Sequence, residues 1–475
     1  MVHPSQHIDS DPARDEMQAI VTQAFGQSAT EVPTPVQLTC LHGAVPSSLR
    51  GVLLRNGPGR QERGGVQYGH PFDGDGFLQR LAFSDAGVDY TARFVQTQEF
   101  VAEESADRIL YRGFGTNKPG GFLYNVLRLH FKNAANTSVV QHAGHTWALW
   151  EGGLPHRIDP ITLETLERDD LGGALRNTGI DGLVAPELPF SAHPSIDPNT
   201  GELWNFGTAF GRTNRLLVYR MDPSGTVHTR TIKLTDLPFV HDMALTPRFA
   251  VFLLPATRFD IPRALLGLKT PVASLSLQSA PGTLLLVPRN GDDVIRVPVS
   301  PGFVFHWGAA WEEGDTVVLD GVKYPGFPKL DQLDSLVKHG SDSLLARPVR
   351  FTVSLSEATA VEEELAPLAL ELPTTKGSGR DRVLYGTSAP LERGTPFLSG
   401  LTRMHGDDVL TRELYPDVPG EPLVCGDWLV VQVWRAQTQT SEVWVVDSGS
   451  LETVARLALP NPVPPALHGT WLPSR

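Results

Sequence analysis

Short β-prone segments separated by turns recur along nearly the whole chain. One of them, 80–96, has an Asp-Ala-Gly turn between two alternating runs, and similar segments lie at 147–166, 203–234 and 441–459. The 45 glycines and 39 prolines are spread between such runs, which is typical of many strands joined by turns rather than of long helices. We therefore predict an all-β fold built from antiparallel hairpins.

The number of hairpins favours one repetitive architecture. A loose pattern of an apolar residue, an aspartate and a turn recurs at Asp159, Asp197, Asp222 and Asp447. A four-stranded propeller blade takes ~40–45 residues and buries its faces against its neighbours, so seven blades would use about 300 residues. We predict a seven-bladed β-propeller with loops and short helices capping the active-site face. A pair of β-sandwiches is the alternative.

Two segments depart from the strand pattern. Residues 1–30 are polar with one short apolar patch, so we expect a flexible N-terminal arm, followed by a single propeller domain over 31–475. The stretch 259–280 lacks strand alternation and is rich in leucine, alanine and valine. We expect it to be a loop inserted into the propeller.

Charge and cysteine content restrict the partners and the compartment. The net charge of -13 would repel the phosphate backbone of a nucleic acid. We therefore do not expect nucleic acid as a partner. Two cysteines, Cys40 and Cys425, are too few for a disulfide framework or a thiolate zinc site. No run approaches the ~18 apolar residues of a membrane span, and no export signal is evident. We expect a cytoplasmic protein.

Four of the 15 histidines share a context, because each follows an apolar run: His193, His241, His306 and His468. Successive members are 48, 65 and 162 residues apart, which suits ligands contributed by different blades. Inner strands of a propeller converge on its axis, so these imidazoles would meet there. Imidazole suits iron, zinc, copper and nickel alike. Four unrelated buried histidines remain the alternative.

Three glutamates lie in apolar or Gly/Pro surroundings: Glu151, Glu371 and Glu421. A metal-bound histidine usually donates its other ring N–H to a carboxylate or a carbonyl, which fixes its tautomer. Four neutral imidazoles would leave a divalent ion its whole charge, and nearby carboxylates would compensate it. The alternative is that these glutamates belong to exposed rims or turns.

An ordered series of motifs resembles the carotenoid cleavage oxygenase family. It runs from about residue 35 to the C-terminus and comprises LRGVLLRNGPG (49–59), HPFDGDGFLQRLAF (70–83), NTSVV followed by LWEGG, AHPSIDP, VHDMAL, FHWGAAWEEGD, GEPLV and HGTWLP. Single motifs of this kind are weak, but the ordered series with all four histidines is highly specific.

The resemblance implies one axial Fe(II) per chain, with O₂ as co-substrate. By motif, the four histidines named above would bind the iron, Glu151 would orient His241, Glu371 would orient His306, and Glu421 would orient His468. Thr137 matches a family threonine whose methyl group crowds one coordination position. The implied reaction is oxidative cleavage of a C=C bond of a carotenoid or apocarotenoid into two carbonyl products, without a general acid or base.

Some positions depart from the family pattern. Ala309 replaces an amide after the third ligand, and Pro373-Thr374-Thr375 replaces an arginine-bearing sequence after Glu371, which weakens the assignment of that glutamate. Trp150 stands where stilbene-cleaving relatives tend to have a lysine. A phenolic stilbene is thus disfavoured, and a stilbene-cleaving dioxygenase stays an alternative. A polyene-binding or isomerohydrolase propeller that does not cleave is another.

A lipophilic polyene substrate would have to leave a membrane to reach the iron. The segment 261–278 is a candidate apolar lip that would dip into one leaflet through Leu265, Leu266, Leu268, Val272, Leu275 and Leu277. Because the net charge is negative, such contact would be hydrophobic and reversible. An ordinary buried loop is the equal alternative. We expect a monomer in the cytoplasm. If the lip contacts a bilayer, the protein would also associate peripherally with a membrane.

Overall fold

Seven antiparallel sheets dominate the protein. A computed structural model describes residues 12–127, 130–326, 345–393 and 397–474. Within these ranges seven sheets have four to six strands each, and two further sheets have two strands. The predicted all-β, seven-bladed propeller is confirmed.

The strands of blades 1 to 3 follow one another from the axis outward. Blade 1 contains β36 (Gly469–Pro473), β3 (Gly51–Arg55), β7 (Asp75–Ser84), β8 (Gly87–Phe94) and β1 (Val32–Gln37), with β4 (Pro58–Arg60) beside β7. Blade 2 contains β9 (Ser138–His142), β10 (His145–Leu149), β11 (His156–Ile158) and β12 (Thr165–Arg168). Blade 3 contains β13 (Ser195–Ile196), β14 (Leu203–Ala209), β15 (Asn214–Met221) and β16 (Val227–Leu234).

The other blades follow in chain order. Blade 4 contains β17 (Ala244–Leu245), β18 (Phe249–Leu254), β21 (Gly282–Pro288) and β22 (Ile295–Val299). Blade 5 contains β23 (Phe303–Glu313), β24 (Thr316–Tyr324), β25 (Arg347–Ser354) and β26 (Thr359–Glu364). Blade 6 contains β27 (Leu368–Lys376), β28 (Val383–Pro390), β29 (Gly400–His405) and β30 (Asp408–Glu413). Blade 7 contains β31 (Val418–Pro419), β32 (Leu423–Cys425), β33 (Trp428–Arg435), β34 (Thr440–Asp447), β35 (Thr453–Ala458) and β2 (Thr39–Gly43).

Strands from both ends of the chain close the ring. The C-terminal strand β36 is the inner strand of blade 1, where it pairs with β3. The N-terminal strand β2 is the outer strand of blade 7, where it pairs with β35. Blades 1 and 7 are therefore each built from residues far apart in the sequence.

The inner strands surround a central axis, as shown by the contacts of β36 with β9 and of β23 with β27. Because the strands of a blade alternate in direction, the connections after its second and fourth strands lie at the end where the inner strand begins. We call this end the site face. Long connections of this kind are 95–137, 169–194 and 255–281.

Short helices cap the site face. The connections contain α2 (Gln98–Ala106), α3 (Phe122–Asn125), α4 (Gly179–Val184), α5 (Ile261–Leu265), α6 (Pro271–Ser274) and the two-stranded sheet of β19 (Thr257–Phe259) with β20 (Leu275–Leu277); the other small sheet pairs β5 (Glu62–Arg63) with β6 (Val66–Gln67). No helix in the described ranges is both long enough and apolar enough to cross a bilayer.

The expected flexible arm over 1–30 differs from what the structure shows for its second half. Residues Pro12–Gly26 form helix α1. Met17, Ile20, Val21 and Ala24 share one helical face and pack against Phe397, Val418 and Trp434. Their spacing of three and four residues is that of an amphipathic helix, which explains why this segment is ordered. Residues 1–11 lie outside the described residues.

The hydrophobic core lies between neighbouring blades. Seven clusters of buried side chains each join two adjacent blades, and together they run around the whole ring. One of them packs Phe206 of blade 3 against Phe252 and Leu285 of blade 4. Each blade is therefore stabilised by its two neighbours rather than by a centre of its own.

The aspartate pattern of the sequence marks turns on the face opposite the site. The carboxylates of Asp159, Asp197, Asp222 and Asp447 each accept a hydrogen bond from the backbone N–H two residues later, at 2.8–3.0 Å. Such Asx turns stabilise tight connections between strands. The repeat in the sequence is thus the chemistry of the turns between blade strands.

Candidate metal centre

The four histidines predicted as ligands lie together at the start of the inner strands. His193, His241 and His468 precede β13, β17 and β36 by no more than a few residues, and His306 lies near the start of β23. All are therefore at the site face, close to the axis. Neighbouring ring centroids lie 4.4 Å (His193–His241), 4.7 Å (His193–His468), 5.0 Å (His306–His468) and 5.2 Å (His241–His306) apart.

The ligating nitrogens suit a metal ion. One nitrogen each from His193, His306 and His468 lies within 4.8 Å of the others. The Nε2 atoms of His193 and His306 are buried and have no hydrogen-bond partner among the described residues. Such orphaned buried nitrogens are costly unless something else binds them. The cluster therefore fits a bound cation.

Three carboxylates hold three of the imidazoles. The Nδ1 atom of His241 lies 3.0 Å from Oε1 of Glu151, which follows β10. The corresponding distances are 2.6 Å from His306 to Glu371 and 2.9 Å from His468 to Glu421.

Because Nδ1 donates to a carboxylate in each pair, Nε2 is left with a free lone pair. Each of the three imidazoles is thus in the tautomer that binds a metal through Nε2. Among the described residues, no carboxylate forms a hydrogen bond to His193.

Electrostatics keep His193 neutral. Burial, together with the neighbouring imidazoles, holds the pKa of His193 well below its usual value of 6.5. For His468, burial acts in the same direction, but the charge of Glu421 and its hydrogen bond outweigh it and raise the pKa. A neutral imidazole is the form that binds a metal, so His193 is ready to bind without a carboxylate partner.

Thr137 lies between blade 2 and His468. Its backbone N–H donates to the carbonyl oxygen of Leu149 at 3.0 Å, and its own carbonyl oxygen accepts from the N–H of His468 at 3.2 Å. Its hydroxyl donates to Oδ1 of Asn136 at 3.1 Å. The structure therefore places Thr137 in direct backbone contact with one of the predicted ligands.

Comparison with known proteins identifies the family. The profile of the family described as retinal pigment epithelial membrane protein matches residues 25–473. The apocarotenoid-15,15'-oxygenase of Synechocystis is 32% identical over 459 residues, which cover 91% of this chain and 92% of that protein. The chain belongs to the carotenoid cleavage oxygenase family. The resemblance indicated by the ordered motifs is confirmed.

Solved structures of the Synechocystis enzyme resemble this chain throughout its length. The cobalt-substituted form has a TM-score of 0.86 at 30% identity, and the match covers 96% of this chain and 99% of that one. Variants of that enzyme alter a threonine, a tryptophan 13 residues later, and the glutamate that follows the tryptophan. Thr137, Trp150 and Glu151 have the same spacing here.

Other relatives extend the range of substrates in the family. The carotenoid 9,10(9',10')-cleavage dioxygenase 1 of Phaseolus vulgaris is 28% identical, with 95% of this chain and 89% of that protein covered. The isoeugenol monooxygenase of Pseudomonas putida is 32% identical over 308 residues, which cover 62% of this chain and 60% of that protein. The longer matches are thus to enzymes named for carotenoid substrates.

The departures from the family pattern near Glu371 leave this carboxylate in contact with its histidine. The backbone N–H of Leu372 donates to Oε2 of Glu371 at 2.9 Å. The hydroxyl of Thr375 donates to the carbonyl oxygen of Gly308, which ties β27 to β23 beside His306. The segment Pro373-Thr374-Thr375, which differs from the family pattern, therefore supplies its own link between the two strands. Burial alone would raise the pKa of Glu371, but the charge of His306 and its hydrogen bond outweigh this effect. The pKa of Glu371 therefore lies below its usual value.

Sequence reasoning missed Asp242, which directly follows a predicted ligand. Its Oδ2 accepts from the backbone N–H of Trp307 at 2.7 Å, and its Oδ1 accepts from that of Met243. Asp242 thus joins the segment of His241 to the strand of His306. Burial raises its pKa to about 6. A carboxylate inside the apolar run VHDMAL is the signal that would have found it.

An aromatic cluster lies beside the imidazoles. Phe305 contacts His241 edge to face, with centroids 4.8 Å apart, and Phe239 stacks against the same ring at 6.4 Å. The cluster consists of buried and half-buried side chains: Phe114, Phe239, Phe259, Val272, Leu275, Leu277, Phe303, Phe305 and Tyr324. It places apolar side chains next to the candidate metal centre.

The stretch 259–280 is divided between this cluster and the surface. Val272 and Leu275 are buried in the cluster, whereas Leu266 and Leu268 are exposed. Of the six side chains named for the apolar lip, Leu266 and Leu268 are exposed, and the other four are buried or half-buried. Contact of this stretch with a membrane stays a prediction.

Proposed function

We propose that this protein is a non-haem Fe(II) dioxygenase that cleaves a C=C bond of a carotenoid or apocarotenoid. The observation that carries the proposal is the convergence of four imidazoles, three of them held through Nδ1 by a carboxylate. It is supported by similarity over about nine-tenths of the chain to an enzyme named for oxygenation of apocarotenoids.

His193, His241, His306 and His468 would hold the iron through Nε2. A cluster that binds only through imidazoles leaves the ion its +2 charge, and the carboxylates of Glu151, Glu371 and Glu421 compensate this charge from the far side of the rings. A relative whose solved structure is cobalt-substituted supports a metal site in this fold. When bound, ferrous iron supplies the binding and activation of O₂.

The residues of this chain position the substrate and exclude water. The aromatic cluster provides faces against which a conjugated, apolar chain packs, and Phe305 and Phe239 bring that surface to the ring of His241. Addition of both oxygen atoms across one C=C bond gives two carbonyl groups, with no net transfer of protons. The site accordingly requires no general acid or base, and placement of the substrate is the contribution of the protein.

Trp150 favours a polyene over a phenol as the substrate. It provides an indole where a phenol-binding relative would need a charged or hydrogen-bonding group. The shorter match to isoeugenol monooxygenase makes a phenylpropenoid the second candidate.

Reaction products test the proposal. Anaerobically iron-loaded protein is mixed in air with carotenoids, apocarotenals, a stilbene and isoeugenol, and the products are identified by mass spectrometry. We expect two carbonyl products from a carotenoid or an apocarotenal. Preferential cleavage of isoeugenol or the stilbene would replace the proposed substrate class, and absence of cleavage in iron-loaded protein would reject the proposal.

The ligand assignment has a matched control. His241→Ala should abolish both bound iron and cleavage, whereas alanine at the exposed His228 should change neither. Stoichiometric iron in the His241 variant would contradict the four-histidine site.

We further propose that the substrate is collected from a membrane by apolar side chains on the site face. The segment of α3 and the segment of α5 are joined by a backbone hydrogen bond from Leu127 to Leu265 at 2.9 Å. Together they expose six large apolar side chains: Phe122, Leu123, Tyr124, Leu127, Leu266 and Leu268. We call these six the apolar rim. Contiguous exposed apolar side chains of this kind support contact with lipid.

Vesicle flotation tests the role of the apolar rim. Serine at Leu123, Leu266 and Leu268 should reduce flotation with phosphatidylcholine vesicles and leave turnover of detergent-dispersed apocarotenal unchanged. The control places serine at three other exposed apolar positions away from the rim: Ile161, Leu166 and Val361. Equal flotation of the two triple variants would contradict membrane contact through the rim.

A further inference from the structure

The dipeptide Arg55-Asn56 lies beside the predicted ligand His468. It ends strand β3, whose last residue pairs with Gly469 of β36. The motif RNGP of the sequence therefore lies at the site face, although none of the predicted ligands or carboxylates belongs to it.

Asn56 forms hydrogen bonds with the backbone of two separate segments next to the candidate metal centre. Its N–H donates to the carbonyl oxygen of His468 at 2.9 Å, and its carbonyl oxygen accepts from the N–H of Leu467 at 2.9 Å. Its side-chain amide donates to the carbonyl oxygens of Ala135 at 2.8 Å and Ser138 at 3.0 Å. Since these two residues flank Thr137, one buried asparagine joins the segment of Thr137 to that of His468.

Arg55 joins two further segments. Its guanidinium donates to the carbonyl oxygen of Glu421 at 3.0 Å and to that of Leu467 at 3.4 Å. The side chain is buried, so these bonds form out of contact with water. One acceptor is Glu421 itself, and the other directly precedes His468. The side chains of Glu421 and His468 form a hydrogen bond of 2.9 Å.

The backbones approach closely at this point. A Cβ atom on Gly57 would lie 2.8 Å from the Cα atom of Ala466, which is closer than real Cβ contacts allow. The glycine after Asn56 therefore lets the C-terminal segment lie against the end of β3.

We propose that Arg55 and Asn56 are positioning residues that fix His468, Glu421 and Thr137 relative to one another. This inference rests on the proposed metal site. His468 lies at the end of the last connection, just before β36, and the hydrogen bonds of Arg55 and Asn56 tie it to parts of the chain more than 300 residues away. Loss of these bonds would loosen one ligand and its carboxylate while the other three ligands stay in place.

Cobalt binding tests the inference without relying on activity. Co²⁺ is titrated into metal-free wild-type protein and into Asn56→Ala and Arg55→Lys, and binding is followed by the visible absorption of the bound ion. Lysine keeps the charge of Arg55 but cannot bridge two carbonyl oxygens as a guanidinium does. We expect both variants to bind Co²⁺ about 10-fold or more weakly than wild type, with shifted absorption bands.

Gln432→Ala is the matched control. Gln432 is also a buried amide, and its Nε2 donates to two carbonyl oxygens of the same C-terminal segment, Val463 at 3.2 Å and Pro464 at 2.8 Å. Its loss should lower the thermal midpoint of metal-free protein by an amount similar to Asn56→Ala. Its Co²⁺ affinity and absorption bands should match those of wild type.

The outcomes separate the two proposals. Failure of wild-type protein to bind one Co²⁺ or Fe²⁺ would overturn the proposed metal site itself. Binding by wild type that Asn56→Ala and Arg55→Lys reproduce in affinity and spectrum would overturn only the positioning role. Equal weakening in Gln432→Ala, or failure of both site variants to fold, would also overturn it, because the pair would then serve folding rather than the geometry of the metal centre.

Discussion

Glu421→Gln isolates the charge of one carboxylate from its hydrogen bond. The glutamine oxygen can still accept the Nδ1–H of His468, whose distance to Oε1 of Glu421 is 2.9 Å. The new amide group replaces Oε2, which is buried and has no hydrogen-bond partner among the described residues. The substitution thus keeps the tautomer of the imidazole and removes the negative charge behind it.

The expected loss in iron affinity follows from the charge that the substitution removes. The hydrogen bond forms with and without metal, whereas the negative charge stabilises the imidazole most when a cation is bound to it. Loss of a carboxylate that supports a metal-binding histidine typically weakens metal binding about 10- to 100-fold, and because the hydrogen bond is kept here we expect the lower end, about 10-fold or ~1.4 kcal/mol. The unsatisfied amide is buried with and without metal, so it lowers the stability of the fold more than it changes metal affinity.

The three carboxylates should differ in a predictable order. The exposed fraction of the side chain is 8% for Glu421, 11% for Glu371 and 27% for Glu151. A charge in contact with water is screened, so its removal has less effect on the metal. We expect glutamine at Glu421 or Glu371 to weaken iron binding more than glutamine at Glu151.

Anaerobic competition with a ferrous chelator measures these affinities directly. Circular dichroism of the metal-free variants serves as the control for folding. An affinity of Glu421→Gln within twofold of wild type would refute the role of the charge. A larger loss at Glu151 than at the two more buried positions would refute the argument from burial.

Three further predictions concern the propeller itself. Burial, with the charge of Arg168, lowers the pKa of His156 to about 4, so its contribution to stability is complete above pH 6.5 and is lost as the pH falls through 4. Between pH 7 and pH 5, wild type should lose about 2 kcal/mol more unfolding free energy than His156→Gln, as measured by urea titration. Leu285→Ala empties a fully buried position between blades 3 and 4 and should cost ~2–5 kcal/mol in the same assay, and a loss below 1 kcal/mol would contradict the packing argument. Arg289 of blade 4 lies 2.7 Å from Asp197 and 2.9 Å from Glu202 of blade 3, so Arg289→Met should lower the free energy of unfolding by about 2–4 kcal/mol, and a neutral effect would show that this ion pair does not join the blades.

The sequence predicted those parts of the fold that depend on local chemistry. The turn at Asp222 is one example, because its carboxylate accepts hydrogen bonds from residues two and four positions later, and such a pattern is visible in the sequence. The positions of His193 and His241 follow the same logic, since each precedes an inner strand and the fold brings the starts of these strands together. The role of these residues as iron ligands stays a prediction.

Features that depend on distant pairs could not be predicted in this way. Arg55 donates to the carbonyl oxygen of Glu421, 366 residues away, and nothing in the local sequence of either residue indicates the other. Helix α1 differs from the predicted flexible arm for a similar reason. The helical spacing of its apolar residues is visible in the sequence, but Phe397 and Trp434, which bury that face, lie more than 370 residues away. The stretch 259–280 contributes side chains to both the core and the surface, so its composition alone does not distinguish a buried loop from an exposed one.

The candidate metal centre and the closure of the ring depend on the same C-terminal segment. His468 lies just before β36, which completes blade 1 only by pairing with β3 from the other end of the chain. The other predicted ligands belong to blades 3, 4 and 5, whose strands are local in sequence. An ion held by all four imidazoles would therefore connect the closing segment to the rest of the ring. Since a ligand that binds only the folded state stabilises it, bound metal would stabilise the closed ring in particular.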